Sequence, residues 1–190
     1  MTSNRKTVRR RSRRGFSLIE LGIVIAVIAV LAAVVVFGRG FILAARVTKA
    51  VDASNSVRKA ASTFAGLNGG ALSGIANPTA SQLSTLAARG LIAPLPAGQT
   101  TWTVSGAVGS TDAIVMTDVR LGQLAGAGST GTGNAVLIRF TTPTPAMAQD
   151  ILTAVKDDKN IIANGNIGGQ ACQVPTTPVT QVNVSICFFL

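Results

Sequence analysis

The stretch that most constrains this chain lies near its start. Residues 21–38 carry no charge at all, and Glu20, just before them, is the sole glutamate among 190 residues. At about 1.5 Å of rise per residue, a helix here spans much of a bilayer's roughly 30 Å core. A carboxylate within such a segment costs roughly 2.5–3.5 kcal/mol on insertion scales, which marks Glu20 as a functional suspect. A basic block precedes it: seven of the seventeen Lys and Arg, namely Arg5, Lys6, Arg9, Arg10, Arg11, Arg13 and Arg14, fall in the first fourteen residues. A basic tail can bind nucleic acid. Arginines that abut an apolar span instead act as a topology signal, staying cytoplasmic while the remainder is exported. An ordinary secretory signal is cut after its apolar stretch. Ala32-Ala33-Val34 and Ala44-Ala45 are the candidates for that, and neither is a convincing small-x-small site.

The order Gly15-Phe16-Ser17-Leu18-Ile19-Glu20, followed by an aliphatic run to Phe37, resembles the class III signal of type IV pilins and pseudopilins, over residues 9–37 or so. The resemblance implies a prepilin peptidase/methyltransferase that cuts after Gly15 and methylates the new N-terminal Phe16, leaving the apolar run in place. Such a cut removes all seven basic residues and no acid, lowering the formal net charge from +10 to a side-chain total of +3, ten less seven. In the family, the acid at the position of Glu20 pairs with the N-terminal amine of a neighbouring subunit during assembly. The physics is consistent with that. The amine is protonated at neutral pH, its reference pKa being about 7.7–8.0, and removing one partner of a buried pair costs about 3–5 kcal/mol.

The implied function is that of a structural subunit of a type IV pilus. It would sit in the inner membrane with its N-terminus cytoplasmic and its head periplasmic, and be handled by the inner-membrane assembly platform. It would then polymerise with itself into a helical filament on the cell surface, serving adhesion, motility, DNA uptake or conjugation. A minor pilin or type II secretion pseudopilin is the alternative within the family. Pseudopilins often carry acid-rich Ca²⁺ loops, and acids are sparse here. An alternative of another class is a membrane-anchored adhesive or ligand-binding protein that does not polymerise.

The expected layout is a basic leader at 1–15, a hydrophobic helix at 16–38, an amphipathic helical half at 39–66 and a globular head at 67–190. The amphipathic half shows in Val47, Ala50, Val51, Ser54, Val57, Ala61 and Phe64, which recur at three- and four-residue steps. Gly66-Leu67-Asn68-Gly69-Gly70 stops the helix, which would run for about fifty residues or roughly 75 Å. Many pilins have proline near the end of the apolar run, whereas this chain has Gly38-Arg39-Gly40. Each glycine costs about 1 kcal/mol in a helix interior. Gly38 and Gly40 are therefore the expected break or bend in an assembled filament, and an unbroken helix stays open for the isolated subunit.

Beyond the long helix, residues 79–90 read as a short helix with hydroxyl residues at the N-cap and Gly90 at the stop. Residues 100–105 and 113–117 read as strands around a turn at 106–111, and 118–125 as another short helix. Residues 135–141 form the clearest strand, 146–155 a helix and 179–188 an alternating strand. One long helix followed by strands mixed with short helices predicts an α+β protein, the helix packed on a head with an antiparallel β-sheet. The length of the head and its C-terminal cysteines look like type IVb pilins, while the phenylalanine start looks like type IVa. Many type IVb pilins place a disulfide cysteine on a helix after a central strand, where this chain has Met147 and Ala148.

The two cysteines, Cys172 and Cys187, both stand near the C-terminus. An exported chain meets an oxidising compartment, which favours their pairing, and the closed loop would contribute about 3 kcal/mol in the chain-entropy model. Two free buried thiols are the other reading. There is no histidine, and the cysteines are too far apart for a Cys-x-x-Cys knuckle, so no metal site or other cofactor is expected.

Gly126-Ala127-Gly128-Ser129-Thr130-Gly131 matches G-x-G-x-x-G, but it precedes a strand instead of following one and reads as a loop. Asp157-Asp158, between two lysines, reads as a solvated helix end. With no histidine base, no nucleophilic triad of the usual kind can be assembled and no enzyme is expected. Trp102 reads as a core anchor. Arg89, Arg120 and Arg139 read as scattered solvated charges, so no nucleic-acid partner is expected.

Overall fold

The structure is a computed structural model that describes residues 15–70, 72, 80–124, 133–172 and 180–190. The protein is α+β and divides into two compact units, Met1–Phe41 and Ile42–Leu190. Helix α1 (Leu18–Leu67) supplies the described helical part of the first unit and the opening helix of the second. In the first unit α1 is apolar all round except at Glu20, and exposed, from Leu18 to Phe37. A helix of that kind belongs in a membrane or inside an assembly.

In the second unit, α1 buries Ala50, Ala53, Ser54, Val57, Ala60, Ala61, Phe64 and Ala65. The stripe is mostly alanine, which lets the helix backbone approach its neighbours closely. Asn68, Gly69 and Gly70 end the helix. The two glycines adopt positive φ of 75° and 83°, and the Gly70 N–H reaches back to the Ala65 carbonyl at 2.8 Å, a glycine-terminated stop. Helix α2 (Leu83–Ala88) follows. It is shorter than the expected 79–90 helix and is not capped by a hydroxyl. Its N-cap is Gln82 with no side-chain cap bond, and the Ser81 hydroxyl instead accepts the Val119 N–H at 3.2 Å. Gly90, at φ 68°, closes the helix.

The sheet is antiparallel in the order β1-β2-β3-β6, formed by β1 (Trp102–Ser105), β2 (Ile114–Gln123), β3 (Asn134–Thr141) and, last in the chain, β6 (Asn183–Phe189). Strand β2 absorbs the short helix expected at 118–125, apart from Leu124 just past its end and Ala125 outside the described residues. The residues Asp118, Val119, Arg120, Leu121 and Gly122 alternate with the period of a strand. A bulge between Met116 and Asp118 resets that alternation, so 113–123 does not look like one continuous element in the sequence.

Helix α3 (Pro145–Val155) has Thr144 as N-cap, accepting the Met147 N–H, with proline in the first turn. It buries Met147, Ala148, Ile151, Leu152 and Val155. Met147 and Ala148 are thus core residues. A two-residue hairpin follows, β4 (Asn166–Ile167) and β5 (Gln170–Ala171). Its turn residues Gly168 and Gly169 both have positive φ, as a type I′ turn requires.

One face of the sheet carries the main core: Val119 and Leu121 of β2, Val136, Ile138 and Phe140 of β3, and Val184, Ile186 and Phe188 of β6. The other face carries a smaller cluster in which Ala135, Leu137 and Cys187 meet Leu124, Ile162, Ile167 and Cys172. Strand β6 is therefore buried without interruption from Val184 to Phe188. The half-buried alternation expected at 179–188 does not hold, because residues from 162 to 172 cover its second face. Trp102 is half-buried against the main core. The Gly126–Gly131 motif lies outside the described residues.

Candidate processing and assembly segment

Gly15, Phe16 and Ser17 precede α1 and are exposed, Phe16 at 83%. The first helical bond runs from the Leu21 N–H to the Ser17 carbonyl at 3.1 Å, which makes Ser17 the N-cap and puts Glu20 at the third helical position. Ser17-x-x-Glu20 is thus the spacing of a capping box, a signal present in the sequence and not read there. A carboxylate in the first turn is also favoured by the helix dipole. Glu20 itself is exposed and has no hydrogen-bond or ion-pair partner among the described residues.

The segment offers an accessible, non-helical stretch at residues 15–17, then one acid without a partner among the described residues, then an uncovered apolar surface. Gly38 and Gly40 both lie inside α1, and a side chain at either would meet only open space. Among the described residues α1 is the one helix long and apolar enough to cross a membrane, judged by length and composition.

Residues 10–36 match the prokaryotic N-terminal methylation motif. That is the class III signal peptide of type IV pilins. The methylation motif supports a type IV pilin-like or pseudopilin precursor, a structural type of protein. It implies processing by prepilin peptidase and, together with the apolar start of α1, fits a membrane-anchored precursor. No curated protein and no solved structure matches the chain. The methylation motif ends before Phe37, so it lies wholly within the first unit.

In the second unit, Cys172 and Cys187 are joined as a disulfide, with Cα atoms 5.5 Å apart. It ties the segment after β5 to β6. Of the three arginines expected to be solvated, Arg89 is exposed, whereas Arg120 and Arg139 are part-buried and bonded. Arg120 pairs through Nε with Asp118 at 2.7 Å and donates to the Gly168 carbonyl in the β4–β5 turn. Arg139 donates to the Ser185 hydroxyl at 3.0 Å and to the Gln170 side chain on β5. Both arginines therefore brace the hairpin against the sheet. Arg89 stands 5.2 Å from the Phe64 ring centroid. Asp158 is not simply solvated either: it pairs with Arg58, whose guanidinium also lies 4.5 Å from the Phe188 ring centroid.

The signal for the sheet braces was strand phase. Asp118 and Arg120 share one face of β2 by the period of two, and the register sets Asp118 opposite Arg139. Among the described residues no group of three or more His, Cys, Asp or Glu gathers where it could hold a metal ion.

Proposed function

We propose that this protein is a pilus-type filament subunit. It is made as a membrane-anchored precursor, cut between Gly15 and Phe16, methylated on Phe16 and polymerised with itself through α1. The observation that carries this reading is the methylation motif at 10–36 set on a helix whose large apolar side chains from Leu18 to Phe37 are exposed. Apolar surface of that extent is stable in lipid while the subunit waits, and against identical helices once it is extracted. The new amine at Phe16 lies four residues from Glu20, so each subunit carries one cation and one anion at the same end. Pairing between neighbours neutralises both, which sets the axial register of the assembly. Gly38 and Gly40 are where the helix yields in the assembled form. The layout of leader (1–15), hydrophobic helix (16–38), amphipathic half (39–66) and head (67–190) belongs to the same proposal, with the head exported and the N-terminus cytoplasmic before assembly.

The deciding experiment is the intact mass and N-terminal sequence of the protein in material sheared from the cell surface. A start at methylated Phe16 is expected. A start at residue 1, with all of the protein in the membrane fraction, would leave an anchored, non-polymerising monomer as the better account. Abundance in the sheared fraction separates a major subunit from a minor pilin or pseudopilin.

A further inference from the structure

We propose that Asn164 is a self-modification site, at which the folded protein converts an asparagine to isoaspartate and aspartate at the base of the disulfide-tied hairpin. This does not depend on the filament reading. Two Asn-Gly pairs lie within the described residues, Asn68-Gly69 and Asn164-Gly165. The chemistry needs the asparagine carboxamide free to turn and the following amide nitrogen free to attack, and glycine offers the least steric resistance to that attack.

The fold treats the two pairs differently. The Asn68 carboxamide nitrogen donates to the Phe64 carbonyl at 2.7 Å, and the Gly69 N–H donates to the Gly66 carbonyl at 3.3 Å. Both reacting groups are held by the end of α1. Asn164 is exposed, and among the described residues neither its carboxamide nor the Gly165 N–H has a hydrogen-bond partner. Glycine at 165 is favoured by the backbone conformation. Its φ is 152°, and a Cβ there would lie 2.5 Å from Leu124 Cδ1. A bulkier residue at the position that makes Asn164 reactive would therefore strain the backbone and make the Leu124 side chain shift.

In the reaction, the Gly165 nitrogen loses its proton to solvent base and forms a bond to Cγ of Asn164. The Cγ–N bond of the carboxamide breaks and ammonia leaves with a proton, giving a cyclic imide. Water then opens either carbonyl of the imide, forming aspartate or isoaspartate, and no oxidant or cofactor is involved. Each modified copy gains one negative charge. The isoaspartate form also adds a methylene to the backbone next to Gly165, whose carbonyl accepts the Cys172 N–H at 3.0 Å.

The test is to incubate the folded full-length protein in mildly alkaline buffer, alongside a sample in urea, and map both by peptide mass spectrometry. In urea the two asparagines are expected to react at similar rates. In the folded sample Asn164 is expected to gain the mass of an amide-to-acid change while Asn68 lags by about tenfold, the effect of one ordinary hydrogen bond that must open first. Asn164→Gln is expected to remove the change with the melting temperature unaltered. Equal rates at both sites in the folded protein, or a silent Asn164 under conditions where the urea sample reacts, would overturn the proposal.

Discussion

Glutamate and glutamine can both close a capping box, but only glutamate carries a charge. That difference separates the two roles open to Glu20, a helix cap at the third position of α1 and a counter-ion for a neighbour's amine. If charge pairing governs assembly, Glu20→Gln and Glu20→Ala are both cut normally after Gly15. Both then lose filament yield by at least about a hundredfold, the lower end of the scale of an unmatched buried charge. Normal filaments from the glutamine variant alone would assign Glu20 to capping. Arg120 poses a residue-scale question of its own. Asp118 is buried at 8% exposure, and its Oδ1 atom has no hydrogen-bond partner among the described residues. Arg120→Ala would leave the other oxygen bare as well, at a cost of about 3–5 kcal/mol, read as a lower urea midpoint. Adding Asp118→Asn to that variant should recover part of the loss, because the stranded charge is then gone.

Among the elements, the hairpin β4–β5 is held by parts that act together: a disulfide, two arginines and a small apolar cluster. Cys172→Ser is expected to lower the stability of the second unit by about 2–4 kcal/mol and to make protease cuts appear first between residues 160 and 172. Stability unchanged in the variant would mean that the arginines alone suffice. This hairpin was also the least legible part of the sequence. Strands of two residues carry no periodicity, and Arg120 and Arg139 looked like surface charges because the segment that covers them had not been recognised. Strand β3 and helix α3 were legible for the opposite reason: Ala135 to Ile138 is an unbroken apolar run, and Pro143 and Pro145 set the helix off from it. The bulge after Met116 hid the length of β2. In the N-terminal segment, Glu20 stood out because an acid beside a charge-free run is rare, and Gly15 and Phe16 through the resemblance of the motif, while the capping role of Ser17 needed the helix boundary to be seen.

For the whole molecule, each unit answers to a different environment. The second has its own core and its own disulfide, whereas the described part of the first has large apolar side chains exposed from Phe16 to Phe37. Residues 42–190 expressed alone in an oxidising compartment are therefore expected to fold as a soluble monomer with a cooperative urea transition. Aggregation or a non-cooperative melt would show that the first unit is needed for more than anchoring. The disulfide has a further consequence if the protein is ever placed under tension. A chain pulled by its ends gives up length as it unravels, up to about 3.3–3.6 Å per residue. The crosslink spans fifteen positions and so withholds about 50 Å of that slack. A single molecule stretched in an optical trap should show its extension lengthen by that amount when reductant is added.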